Sequence, residues 1–196
     1  MKTLANILTI LTISGAFVHA ATPMPGASVG IQPTFRGSFP RTPCLSIDGL
    51  FDGAGVFVID CTTPIQTRTF TIDAGGNPTG QGLPGPIKVS GNLCLTVPGG
   101  VTTSGTPVQF TPCTSGDPNQ QWQWNANGTI IWAGKNKCLD LTDGQLYNYN
   151  RIQIWTCTTD NQNQKWTSSP ANNLIAQVSL TQNDGKPAIS PHFINQ

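Results

Sequence analysis

Residues 138–166 read CLDLTDGQLYNYNRIQIWTCTTDNQNQKW. Two cysteines, Cys138 and Cys157, stand 19 positions apart, and Trp166 follows the second by nine. The same frame occurs twice more in the chain. Cys94 and Cys113 are 19 apart, Cys44 and Cys61 are 17 apart, and the rings nine places beyond are Trp122 and Phe70. Each first cysteine is followed by Leu (CLSI at 44, CLTV at 94, CLDL at 138) and each second one by Thr. A fixed step inside a longer period marks an internal repeat, and here there are three copies.

Six cysteines admit many pairings, but similar copies select one of them: Cys44 with Cys61, Cys94 with Cys113 and Cys138 with Cys157. Each bridge would join neighbouring strands across a loop and contribute about 3 kcal/mol by the chain-entropy argument. Zinc is the competing use of cysteine. The chain has no CxxC, and His192 is the sole histidine after residue 20, so no metal is expected.

The rest of the composition agrees with a chain of short strands. Apolar residues fall in brief runs broken by Gly, Pro, Asn and Thr, and no stretch of ten residues carries a helical period, so an all-β fold is expected. Three copies of about four strands each imply a threefold closed barrel, because closure removes the sheet edges that a lone copy would expose. Phe70, Trp122 and Trp166 would then meet in a shared core.

The first 20 residues, MKTLANILTILTISGAFVHA, have one early Lys, an apolar run and a small-residue end at Val18-His19-Ala20. They read as a secretory signal peptide, since the run is shorter than the roughly 20 residues that span a bilayer. The remaining chain, 21–196, is expected to be one soluble extracellular domain, with copies at about 30–82, 83–126 and 127–170 and a tail at 171–196. Beyond residue 20, nine Lys or Arg balance nine Asp, and Glu is absent. This balance disfavours nucleic acid or an anionic membrane as partner. Asn127-Gly128-Thr129 is an N-glycosylation acceptor.

Two signatures, Gln120-Gln121-Trp122 and Gln164-Lys165-Trp166, together with Cys138-Leu139-Asp140 and the Gln153-Ile154-Trp155-Thr156-Cys157 run, resemble the ricin B-chain type of lectin domain, also called the family 13 carbohydrate-binding modules. The resemblance covers about residues 30 to 170. It implies a β-trefoil that binds glycans of the galactose type in shallow sites, needs no cofactor and is not an enzyme. In that family a competent repeat keeps an Asp two after its first Cys, an aromatic two before its second, an Asn just before Gln-x-Trp and the Gln itself. The third copy matches with Asp140, Trp155, Asn163 and Gln164, and adds Gln153 and a loop residue, Asn148. The second has Thr96 and Thr111 at the Asp and ring positions, and the first has Ser46 and Ile59, so neither is expected to bind sugar.

The chemistry suits that reading. An ionised Asp140 accepts hydrogen bonds from two adjacent hydroxyls, Trp155 covers the C–H face of a pyranose, and Asn163 both donates and accepts. Catalysis lacks its parts: His192 is isolated near the tail, and a two-carboxylate mechanism would have to rely on Asp alone. Asp140, Asp143 and Asp160 are candidates for calcium, but Asp-Leu-Thr-Asp-Gly is not an EF-hand loop. The rival function is a trefoil that acts through its loops as a protease inhibitor or other protein-interaction module. One weak site per chain would gain from clustering, so oligomerisation stays open. Two stretches resist assignment: the proline-containing residues 21–43, and Leu174–Leu180, whose alternation would suit a strand beside the first copy that completes the barrel.

Overall fold

Short apolar runs separated by turn residues cannot sustain a helix, and they pair instead. The computed structural model describes residues 23–35, 42–63, 67–73, 83–90 and 92–170. The signal-peptide stretch, His192 and the tail from 171 onward lie outside them. The first copy holds β1 (Ala27–Pro33), β2 (Pro43–Ile47), β3 (Ala54–Asp60) and β4 (Phe70–Ile72). The second holds β5 (Ile87–Val89), β6 (Leu93–Thr96), β7 (Thr106–Pro107), β8 (Gln109–Pro112) and β9 (Trp122–Trp124). The third holds β10 (Ile130–Trp132), β11 (Lys137–Leu141), β12 (Asn150–Thr156) and β13 (Trp166–Pro170). Among the described residues the only helical elements are four three-residue 3-10 turns. The fold is all-β and threefold, as expected.

Within each copy the two central strands pair antiparallel, and the disulfide closes their open end. The bridges are Cys44–Cys61, Cys94–Cys113 and Cys138–Cys157, with Cα separations of 5.1, 4.9 and 5.0 Å. Between copies, β3 pairs with β8 and with β12, and β7 pairs with β12, so the three hairpins enclose a common axis. Closure comes from β1, which pairs on one edge with β13 (Val29 opposite Pro170, Pro33 opposite Trp166) and on the other with β4. Both edges of β1 are thus occupied within residues 23–170. Leu174–Leu180, whose alternation suits a strand beside the first copy, lies outside the described residues, while β1 supplies a regular strand inside residues 21–43.

One cluster of buried apolar side chains fills the barrel. Phe70, Trp122 and Trp166 are all fully buried in it. Two of these rings also explain the spacing of the repeat: the Trp122 indole N–H donates to the Leu95 carbonyl at 2.8 Å, and that of Trp166 donates to Leu139 at 3.0 Å. A buried indole needs such an acceptor, and here it is the carbonyl of the residue after the first Cys. Phe70 has no N–H to place. It stacks instead on Phe110, at 5.9 Å between ring centroids. Phe110 therefore faces the core and does not replace the ring missing at Thr111, because adjacent strand residues point to opposite faces.

Candidate functional site

Asp140 lies on β11 directly opposite Gln153 on β12, and Cys138 lies opposite Trp155. The alternation of a strand then puts Asp140, Gln153 and Trp155 on one outward face. Asp140 is only 3% exposed, yet each of its oxygens accepts a hydrogen bond. Gln153 Nε2 donates to Oδ1 at 2.9 Å, while Gln164 Nε2 donates to Oδ2 at 3.1 Å and Asn161 Nδ2 approaches it at 3.5 Å. Burial raises the Asp140 carboxyl above the ordinary aspartate value; the Gln153 and Gln164 donors oppose this, and the charge of Asp143 adds to it.

Trp155 is 45% exposed, an unusual cost for a large ring unless something covers it. Its edge adjoins the bare Cα of Gly105, contributed by the second copy. Asp140, Asp143, Gln153, Trp155, Asn161 and Asn163 line a shallow pocket of about 130 Å³. Larger clefts exist elsewhere on the described surface, but a shallow sugar site is marked by its chemistry and not by its volume.

The pocket rim comes from two 3-10 turns. In Gln162–Gln164, Asn161 caps the turn by accepting from the Asn163 N–H at 3.0 Å. Gln164, fully buried, accepts from the Thr158 N–H at 3.0 Å and donates to the Thr156 carbonyl at 3.0 Å as well as to Asp140. It therefore positions the carboxylate and offers nothing to a ligand directly. In Thr142–Gly144, Gly144 has φ +63, and a Cβ there would overlap Asn163 Oδ1. Glycine thus lets the two turns touch.

Asp140, Gln153, Trp155, Asn163 and Gln164 come together as expected, but Asn148 does not. Its Oδ1 accepts from the Asp60 N–H of the first copy at 2.9 Å, so it ties β12's loop to β3 and leaves the pocket. The reason is the β12–β3 pairing, a long-range contact invisible in local spacing. Two lining residues were missing from the expected set, Asn161 and Asp143. Asn161 had a signal, because the second copy also places an Asx residue, Asp117, four after its second Cys, and Asp117 caps its turn in the same way. Asp160 does not line the pocket, and among the described residues no group of three His, Cys, Asp or Glu side chains forms a candidate metal site.

The other copies close the equivalent place. In the second, Gln120 Nε2 donates to the hydroxyls of Thr96 and Thr111 at 3.2 and 3.0 Å, and these two hydroxyls lie 2.7 Å apart. The polar groups satisfy one another and carry no charge. In the first, Ser46 donates to the Thr67 carbonyl at 3.1 Å and Ile59 is buried. Arg68 stands where the glutamine would be and donates to the Asp60 and Cys61 carbonyls.

A family model described as the ricin-type beta-trefoil lectin domain matches residues 35–166. The chain belongs to that family. Carbohydrate binding is thus the class of activity of this lectin domain. Its fold is shared with solved structures. The designed threefold-symmetric protein ThreeFoil is 16% identical, with 72% of this chain and 96% of that chain covered and a TM-score of 0.55. The Polyporus squamosus lectin, bound to Neu5Aca2-6Galb1-4GlcNAc, is 14% identical, with 75% and 50% covered and a TM-score of 0.56. A non-toxic homologue of type II RIPs from Momordica charantia, in complex with alpha-methyl-D-galactoside, is 20% identical, with 72% and 47% covered and a TM-score of 0.53. The lectin domain therefore spans about half the length of these two natural chains. No curated protein matches it in sequence.

Proposed function

We propose that this is a secreted lectin with one sugar site, in the third repeat, that takes a galactose-type unit. The observation that carries the reading is the Asp140 carboxylate, held on both oxygens by Gln153 and Gln164 beneath the exposed face of Trp155. Two sugar hydroxyls replace solvent at the carboxylate, the pyranose C–H face lies on Trp155, and Asn163 and Asn161 serve a further hydroxyl. Repeats one and two act as scaffold. The galactose-type preference draws on the family and on the ligands named for the Momordica and Polyporus proteins. Secretion draws on the first 20 residues and on three disulfides.

Net gains of about 1 kcal/mol per hydrogen bond set against the cost of association give a Kd of roughly 10⁻³ to 10⁻⁴ M for one shallow site. A glycan array of the disulfide-bonded protein beside its Asp140→Ala variant tests the reading. Binding to galactose-terminated glycans that vanishes in the variant is expected. Silence from folded wild-type protein would overturn it and turn attention to protein partners of the loops.

A further inference from the structure

A second cleft, of about 430 Å³, opens where the three copies meet. Its position follows from the repeat. In each copy the residue six before the second Cys pairs with the residue four before the second Cys of a neighbour: Arg151 with Phe57, Gly55 with Gln109, and Pro107 with Gln153. Gly55, Pro107 and Arg151 therefore occupy equivalent positions around the pseudo-threefold axis, and all three line the cleft. Only one of them is charged.

The Arg151 guanidinium rests on the bare Cα of Gly55: a Cβ at that position would sit 2.6 Å from Nη1 and 3.2 Å from Asp48 Oδ2. Asp48 Oδ1 accepts from the Gly55 N–H at 2.7 Å, which leaves Oδ2 open. Among the described residues the Arg151 side chain donates no hydrogen bond and closes no ion pair. Gln109 and the apolar side chains of Pro98 and Val101 complete the wall. The cleft so presents a planar fork of donors, an adjacent carboxylate oxygen and an apolar side.

We propose that this axial cleft is a second binding site, separate from the third-repeat pocket, and that it takes a sugar acid, a ring or chain bearing both a carboxylate and hydroxyls. The guanidinium receives the carboxylate through two parallel N–H donors. Asp48 Oδ2 accepts a hydroxyl, Gln109 serves another, and the C–H side of the ligand lies against Pro98 and Val101. A neutral sugar leaves the Arg151 charge without a partner. Inorganic sulfate meets Asp48, which repels an anion that has only acceptors. The volume lies in the usual range for a small-molecule site, whereas the third-repeat pocket is about 130 Å³.

The test is a titration of isotope-labelled protein with galacturonate, glucuronate, galactose and inorganic sulfate, followed by amide chemical shifts. A hexuronate is expected to shift Gly55 and Gln109 with a Kd of about 10⁻³ M. Arg151→Gln should weaken it at least about tenfold, the loss of one charged pair, and Asp140→Ala should leave it in place. Gly55→Ala, which crowds the guanidinium and keeps every charge, should weaken it too, and so checks the site if Arg151→Gln folds poorly. Uronate shifts that survive Arg151→Gln overturn the proposal, as do shifts that map to Trp155 and vanish with Asp140→Ala. The absence of uronate shifts at 55 and 109, or sulfate binding as strong as uronate, overturns it equally. None of these results depends on whether the third repeat binds galactose.

Discussion

At the scale of single residues, the lectin reading depends on keeping a carboxylate charged where burial disfavours charge. Asp140 is harder to ionise in the folded protein than in the unfolded chain. Its charge therefore costs stability at neutral pH, and that cost disappears as the pH falls through the raised pKa. Sugar binding runs the opposite way, since protonation removes an acceptor. Affinity measured by calorimetry should fall with acidification at a pH above the ordinary aspartate range. An affinity unchanged down to pH 4 would contradict the role assigned to Asp140. Trp155 gives a contrasting prediction, because nearly half of its surface is already wet. Trp155→Ala should lose about tenfold or more in sugar affinity with a Tm close to wild type. Trp166, fully buried and bonded to Leu139, is the opposite case. Nine-residue spacing in the sequence was enough to assign it to the core, because the repeat shows an aromatic ring there three times. The chemistry of Asp140 and Trp155 was legible for a different reason: the third copy has charged and aromatic residues where the others have Ser, Ile and Thr.

At the scale of elements, the 3-10 turns before each Gln-x-Trp do two jobs in the third copy and one in the second. Asp117 and Asn161 each cap their turn by accepting the N–H two residues on. Only Asn161 also faces a carboxylate, Asp140, across the pocket. Asp117→Ala and Asn161→Ala should each cost about 1 kcal/mol of stability in denaturant unfolding, but only Asn161→Ala should weaken sugar binding. Equal binding loss in both variants would mean that the turns act through the barrel as a whole. Asn161 was missed because spacing alone directs attention to the Asn nearest the Gln-x-Trp signature. The cap residue reaches the pocket only because β11 brings Asp140 beside it.

At the scale of the whole molecule, closure depends on the first described strand meeting the last. β1 contributes Val29 and Ile31 to the core and pairs with β13 and β4 on its two edges. A chain that lacks Ala27–Pro33 exposes both strands and uncovers the core. It should lose cooperative thermal unfolding even with all six cysteines paired; a sharp transition near the wild-type Tm would show that closure is dispensable. The axial cleft belongs to this scale as well, since its donors and acceptors come from different copies and meet only when the barrel is shut.

The threefold all-β barrel, the pairing of its cysteines and the singular Asp140 and Trp155 of the third copy were legible from sequence alone. Those properties are periodic, and a period is visible without coordinates. The closed fold sets which loop residues face the pocket. It removed Asn148 to the first copy, added Asn161 and Asp143, and set Arg151 over Gly55. Each of these depends on strands far apart in the chain lying side by side. Local spacing carries no information about such a contact, because the partner is chosen by closure of the barrel and not by neighbours in sequence.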